Sequence, residues 1–154
     1  DYETSGILMI GKTSKSIRLL NQLFAEKKIE KIYYTVTIGE MKSDGEITTD
    51  IDGKNAFTDY RVMESVHSDR FGKLNLLELR PKTGRRHQLR KHLYDIGNPI
   101  LGDKKYAIEN LILKGKGLYL HAFSLEFKHP FSNEVIRVED EIPQKFRKIF
   151  NSFF

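Results

Sequence analysis

Leu79-Arg80-Pro81-Lys82-Thr83-Gly84-Arg85-Arg86-His87-Gln88-Leu89-Arg90-Lys91-His92, followed by Gly97-Asn98-Pro99-Ile100-Leu101-Gly102-Asp103, runs from the end of a strand through a glycine turn into a helix and out again. Thr83 stands where a helix N-cap belongs, and the spacing predicts a helix over about 85–96 with Leu89, Leu93 and Ile96 as its apolar side. Gly97 and then Pro99 form a stop. Upstream, residues 73–80 and 57–63 read as strands, with Asp52-Gly53 and Ser43-Asp44-Gly45 as turns between short strands. Residues 31–39 alternate cleanly: Ile32, Tyr34, Val36 and Ile38 on one face, Tyr33, Thr35 and Thr37 on the other, as in a half-buried antiparallel strand. Ser14 opens a predicted helix with Ile17, Leu20 and Phe24 at one-face spacing and Leu19 and Leu23 widening the stripe. Residues 6–11 read as a buried strand, 118–127 and 134–138 as further strands, and 143–150 as a terminal helix. There is no internal repeat or low-complexity linker. The simplest architecture is therefore one α+β domain over 1–154, a mixed and mainly antiparallel sheet flanked by helices.

Composition narrows the class. A chain of 154 residues with 39% hydrophobic and 31% charged residues can bury a sizeable core and is neither disordered nor membrane-spanning in balance. No apolar run approaches the roughly 20 residues that cross a bilayer, and no signal-peptide pattern opens the sequence, so a cytoplasmic protein without a membrane partner is expected. The absence of Cys excludes disulfides, thiolate zinc sites, iron–sulfur clusters and Cys nucleophiles. The net charge of +5 is local: between Arg80 and Tyr106 eight basic residues face only Asp95 and Asp103, so this stretch carries +6 and the rest of the chain sums to −1. Such a concentration suits a polyanion, because phosphate neutralisation with counterion release supplies most sequence-independent affinity. A solvated helix face is the ordinary alternative.

The residues alone leave the chemistry open. Arg86 and Arg90, four apart on the predicted helix and next to a glycine turn, form an anion-binding layout or simply a pair of surface arginines. His87 and His92 are five apart and point to different sides, so no metal pair is offered. His121 and His129 read as structural histidines. No dinucleotide, P-loop or serine-hydrolase motif is present. Asp1, Asp59 and Asp103 are isolated carboxylates of the kind that usually serve turns and caps.

The motifs carry further. Asp1-Tyr2-Glu3-Thr4-Ser5-Gly6, Lys31-Ile32-Tyr33, Gly53-Lys54-x-Ala56-x-Thr58-x-Tyr60, and the long element quoted at the outset, followed by Leu120-His121-Ala122 and His129-Pro130, resemble in order and spacing the RluA-type family of RNA pseudouridine synthases. The resemblance covers almost the whole chain. It implies the pseudouridine synthase catalytic fold, with no cofactor and no metal. It also implies isomerisation of uridine to pseudouridine in rRNA or tRNA, through cleavage of the N-glycosidic bond, turning of the uracil and formation of a bond from C5 to the ribose.

In that family the first motif reads HRLDxxTSG and its aspartate is catalytic; it falls on Asp1 here. The His-Arg-Leu that should precede it is absent, so the expectation is a fragment lacking the N-terminal portion of the catalytic domain, with a natural remnant as the alternative. The resemblance assigns an active-site tyrosine, stacking on the flipped base, to Tyr33, and the arginine that pairs with the catalytic carboxylate to Arg90. Arg85, Arg86, Lys31 and Lys91 are the expected RNA-binding residues. Two other readings remain open beside the enzyme: a non-catalytic RNA-binding module derived from one, and a basic structural protein of a ribonucleoprotein.

Overall fold

The alternating residues of 31–39 become the centre of a sheet. A computed structural model describes residues 1–154. Its strands are β1 (Ser5–Gly6), β2 (Ile29–Ile38), β3 (Asp44–Ile47), β4 (Thr58–Ser68), β5 (Gly72–Pro81), β6 (Leu120–Lys128) and β7 (Val135–Glu139). Its helices are α1 (Ser14–Ala25), α2 (Gln88–Asp95) and α3 (Gln144–Arg147), with a 3-10 turn at Glu109–Leu111. The sheet order is β1-β6-β2-β5-β4-β3, with β7 also on β6. Every pairing is antiparallel except the short one of β1 with β6, so the expected mixed, mainly antiparallel α+β sheet is what forms.

Strand β2 is flanked on both sides, Tyr33 opposite Leu79 of β5 and Ala122 of β6. Phe123 is an extra residue in β6 at this point, a bulge that the register shift between Ile32 and Tyr33 records. Tyr34 turns to the other face and packs edge-on against Phe123, with 5.0 Å between ring centroids. The core is one contiguous cluster: Val36 and Ile38, then Leu74, Leu76, Leu77 and Leu79 of β5, meet Leu89 and Leu93 of α2 and Phe146 and Phe150 at the C-terminus.

The segment after α2 is stitched into this sheet. Ile38 N–H donates to the Pro99 carbonyl, Leu101 N–H to that of Val36, and Tyr119 N–H to that of Leu101. Gly102, at φ +83°, lies so close to the Gly117 carbonyl that any Cβ would strike it. Only glycine fits both the conformation and the contact, and the close approach fixes where Asp103 begins.

Several expectations change. Residues 6–11 do not form a buried strand: pairing ends at Gly6, whose φ of +100° turns the chain against β6, and Leu8 and Ile10 are left exposed. Asp44 and Gly45 start β3 instead of making a turn, because they pair with Arg61 and Tyr60. Asp52-Gly53 is the tight turn expected, both residues at positive φ between reciprocal hydrogen bonds of Ile51 and Lys54. Ser14 opens α1 as expected, and Thr13 before it caps the helix through a capping box with Ser16. Helix α2 begins at Gln88, three residues later than the periodicity suggests, and α3 is shorter than 143–150.

Candidate active site

The late start of α2 builds the site. Thr83 is not its cap: the Thr83 hydroxyl accepts from Phe57 N–H and donates to Oε1 of Gln88. Gln88 Oε1 also accepts the Arg85 N–H, while its amide donates to the Phe57 carbonyl and the Thr58 hydroxyl. One buried glutamine thus satisfies the glycine turn and ties it to the start of β4. Residues 85–87 are held as a loop, and His87 sits in the left-handed region at φ 55°, ψ 27°.

A cleft of about 510 Å³ opens in front of this loop. Asp1, Tyr33, Lys31 and Arg85 line it, together with Gly84 and His87. Of the residues expected at a site, these four converge. Arg90 stands behind Asp1, only 5% exposed in its side chain, with Nη1 3.6 Å from Asp1 Oδ2. Arg86 is exposed and Lys91 is paired with Asp52 at 3.0 Å; neither lines the cleft. Lys31 lies with its ammonium 5.7 Å from the centre of the Phe24 ring, and burial lowers its pKa from the usual lysine value. Burial raises the Tyr33 hydroxyl, which is therefore protonated at neutral pH.

The expected partnership of Arg90 with Asp1 exists but is the weaker of two. Nε and Nη2 of Arg90 grip Asp103 as a fork at 2.7 and 2.8 Å, and Nη2 also lies 3.7 Å from Glu3. Burial pushes the Asp103 carboxyl up, but Arg90 and the N–H groups of Tyr106 and Lys105 outweigh it and hold its pKa below the usual range. The Asp103 hydrogen bonds in turn raise the Arg90 pKa further, so the guanidinium stays charged beside Asp1. His87 Nε2 reaches Asp1 Oδ1 at 3.2 Å, and its Nδ1 meets the Tyr106 hydroxyl at 2.9 Å.

Sequence reasoning missed His87 as a neighbour of Asp1, and Tyr106 and Glu3 as neighbours of His87 and Arg90, and saw Asp103 only as an isolated carboxylate. Helical spacing put His87 inside a helix, where its side chain would point elsewhere. The one available signal was the Gly102-Asp103 pair at the end of the long element, which carries no local periodicity. No group of three or more His, Cys, Asp or Glu side chains is arranged to hold a metal ion, and no helix is long and apolar enough to cross a membrane.

Comparison with known proteins gives concordant results. The family model described as RNA pseudouridylate synthase matches residues 1–95. The ribosomal large subunit pseudouridine synthase C of Rickettsia bellii is 34% identical over 97% of this chain and 54% of its own length. The ribosomal large subunit pseudouridine synthase D of Borreliella burgdorferi is 34% identical over all of this chain and 50% of its own. The chain thus spans about half the length of these relatives. Among solved structures, human RNA pseudouridylate synthase domain containing 1 superposes with a TM-score of 0.80 at 26% identity, covering 93% of this chain and 66% of that one.

Proposed function

The chain belongs to the RNA pseudouridylate synthase family, and on that premise we propose that it supplies the reacting carboxylate of an enzyme that isomerises uridine to pseudouridine in RNA. The observation that carries this reading is the placing of Asp1 at the wall of the cleft, one oxygen toward His87 and the other toward the charged Arg90. A carboxylate next to an open space flanked by a protonated tyrosine suits chemistry at a ribose and a flipped base. The isomerisation breaks N1–C1′ and forms C5–C1′; the C5 proton leaves to solvent and N1 takes one up, so atoms and charge balance without oxidant, reductant or metal.

Tyr33 is the proposed stacking platform for the extruded uracil, its hydroxyl protonated and its ring on the cleft. Lys31 and Arg85 are the proposed phosphate contacts inside the cleft, with Arg86 and Lys91 at its margin. The substrate class we infer is ribosomal RNA of the large subunit, supported by the names of the bacterial relatives, with loop uridines favoured because extrusion costs least there. A location in the cytoplasm goes with that substrate.

The test is release of tritium from RNA labelled at C5 of uridine, using the protein as its gene encodes it. Asp1→Asn keeps shape and removes the charge; the expected outcome is loss of release by about 100-fold or more with RNA affinity within a few-fold of the parent. No release from large-subunit rRNA or tRNA by the parent protein, with RNA binding intact, would replace the enzyme with a non-catalytic RNA-binding module.

A further inference from the structure

His87 is one of two non-glycine residues lining the cleft, with Lys27, whose backbone lies in the left-handed region, a conformation that such residues adopt rarely and that collects at functional sites. It caps α2 without any side-chain hydrogen bond to that helix, so helix formation does not explain it. What the conformation achieves is to aim the imidazole away from the helix and toward Asp1. We propose that His87, with Tyr106 behind it, is a positioning pair that holds the second oxygen of the Asp1 carboxylate in register with the cleft.

Nε2 of His87 lies 3.2 Å from Asp1 Oδ1, an ion-pair contact, and a neutral imidazole facing a carboxylate, which only accepts, carries its proton on this nitrogen. Nδ1 is then a bare acceptor, and the Tyr106 hydroxyl 2.9 Å from it is the donor. The Tyr106 ring meets the imidazole edge-on at 5.7 Å and lies 5.2 Å from the Arg90 guanidinium carbon. Asp103 fixes Tyr106 through its backbone N–H and Arg90 through the fork. The circuit therefore closes: Asp1 Oδ1 to His87, to Tyr106, to Asp103, to Arg90, and back to Asp1 Oδ2. Neither oxygen of Asp1 can turn without breaking a contact from a different segment of the chain.

Arg90 cannot do this work alone. Its best-placed nitrogens are committed to Asp103, and only Nη1 faces Asp1, at 3.6 Å. The imidazole must also remain neutral to keep the tautomer. Burial lowers its pKa, and Arg90, Lys105 and Arg86 push the same way, against the one carboxylate it faces.

This inference rests on the reading of Asp1 as the reacting carboxylate, and its test separates the two. His87→Gly suits the left-handed backbone and removes the imidazole; Tyr106→Phe keeps the ring and removes the hydroxyl. Steady-state tritium release should show kcat down at least tenfold in His87→Gly and several-fold in Tyr106→Phe, with KM for RNA within twofold and the melting temperature of His87→Gly equal to or above the parent's. His87→Gln, which retains a donor, should recover part of the kcat lost in His87→Gly. The pKa of the Asp1 carboxyl, followed by its carbon-13 shift without turnover, should rise in His87→Gly, since an N–H facing the charged form has been removed. An unchanged kcat together with an unchanged carboxyl pKa would overturn the proposal, as would a change confined to KM, which would make His87 an RNA contact. A parent protein that releases no tritium while the carboxyl still shifts in His87→Gly would defeat the isomerase reading and leave this support of Asp1 standing.

Discussion

Arg90 holds Asp103 more firmly than it holds Asp1, and this gives a replacement two separable consequences. The Asp103 side chain is fully buried, and besides Arg90 its acceptors are met only by two backbone N–H groups. Removing the guanidinium leaves a carboxylate with no cation in a dry site, a loss of about 3–5 kcal/mol in comparable pairs. Arg90→Ala is thus expected to lower folding stability by that order in urea unfolding, whereas Arg86→Ala, exposed and unpaired, should stay within about 0.5 kcal/mol of the parent. A stable Arg90→Ala protein would mean that Asp103 is satisfied in some other way. Activity lost in that variant includes this structural part, so the cleaner probe of the carboxylate is Asp1 itself. The sequence resemblance had identified both ends of the Arg90–Asp1 contact. It did not reveal the third partner, because Asp103 enters through a glycine contact between Gly102 and Gly117 that no local pattern encodes.

At the scale of elements, periodicity located α1, α2 and strands β2, β4, β5, β6 and β7, and failed where a side chain outcompeted the backbone's own preference. The start of α2 is the plainest case: Gln88 takes the bonds that a Thr83 cap would have made. Residues 6–11 fail for a different reason, since an apolar run makes a buried strand only where a partner covers it and the pairing with β6 ends at Gly6. Beyond Gln88 the polar chain continues inward: its amide donates to Thr58, whose hydroxyl donates to Nδ1 of His92, while Nε2 donates to the Thr49 carbonyl. Every proton in that chain is assigned, and His92 is wholly buried and neutral. Burial lowers its pKa, against a weaker upward pull from the Thr49 carbonyl and Asp95. Burial likewise lowers His121, whose Nε2 has no hydrogen-bond partner. For such groups the unfolded chain binds the extra proton first. Stability should therefore be fully present above the unfolded histidine value near 6.5 and fall as pH drops from there toward the folded-state values. Unfolding free energies measured from pH 8 to 5 should be flat and then decline, and the decline should be shallower in His92→Gln. A stability that rises on acidification over that range would contradict the depressed histidines.

The whole molecule sets charge against topology. The sheet brings β2, β5 and β6 side by side from distant parts of the chain, so the cleft lies between an N-terminal carboxylate, a central tyrosine and the basic stretch that the sequence confined to 80–106. That concentration was legible from composition, but its division into useful and committed charge was not, since only folding pairs Lys91 with Asp52 and Lys82 with Glu46 and Asp59. Arg85 differs: only Nε is used, on the Asn55 carbonyl, and the rest of its guanidinium is exposed at the cleft. Each phosphate neutralised on single-stranded RNA contributes about 0.7 to the slope of log affinity against log salt. Titrations of the gene-encoded protein with a single-stranded RNA over a range of salt concentrations should therefore show Arg85→Ala weakening binding and reducing the slope by about that amount. Lys91→Ala should change the slope much less, because its charge is already met by Asp52. Equal effects of the two substitutions would mean that RNA displaces Asp52 and that the basic stretch acts as one undivided surface; no effect of either would place the phosphate path elsewhere on the molecule.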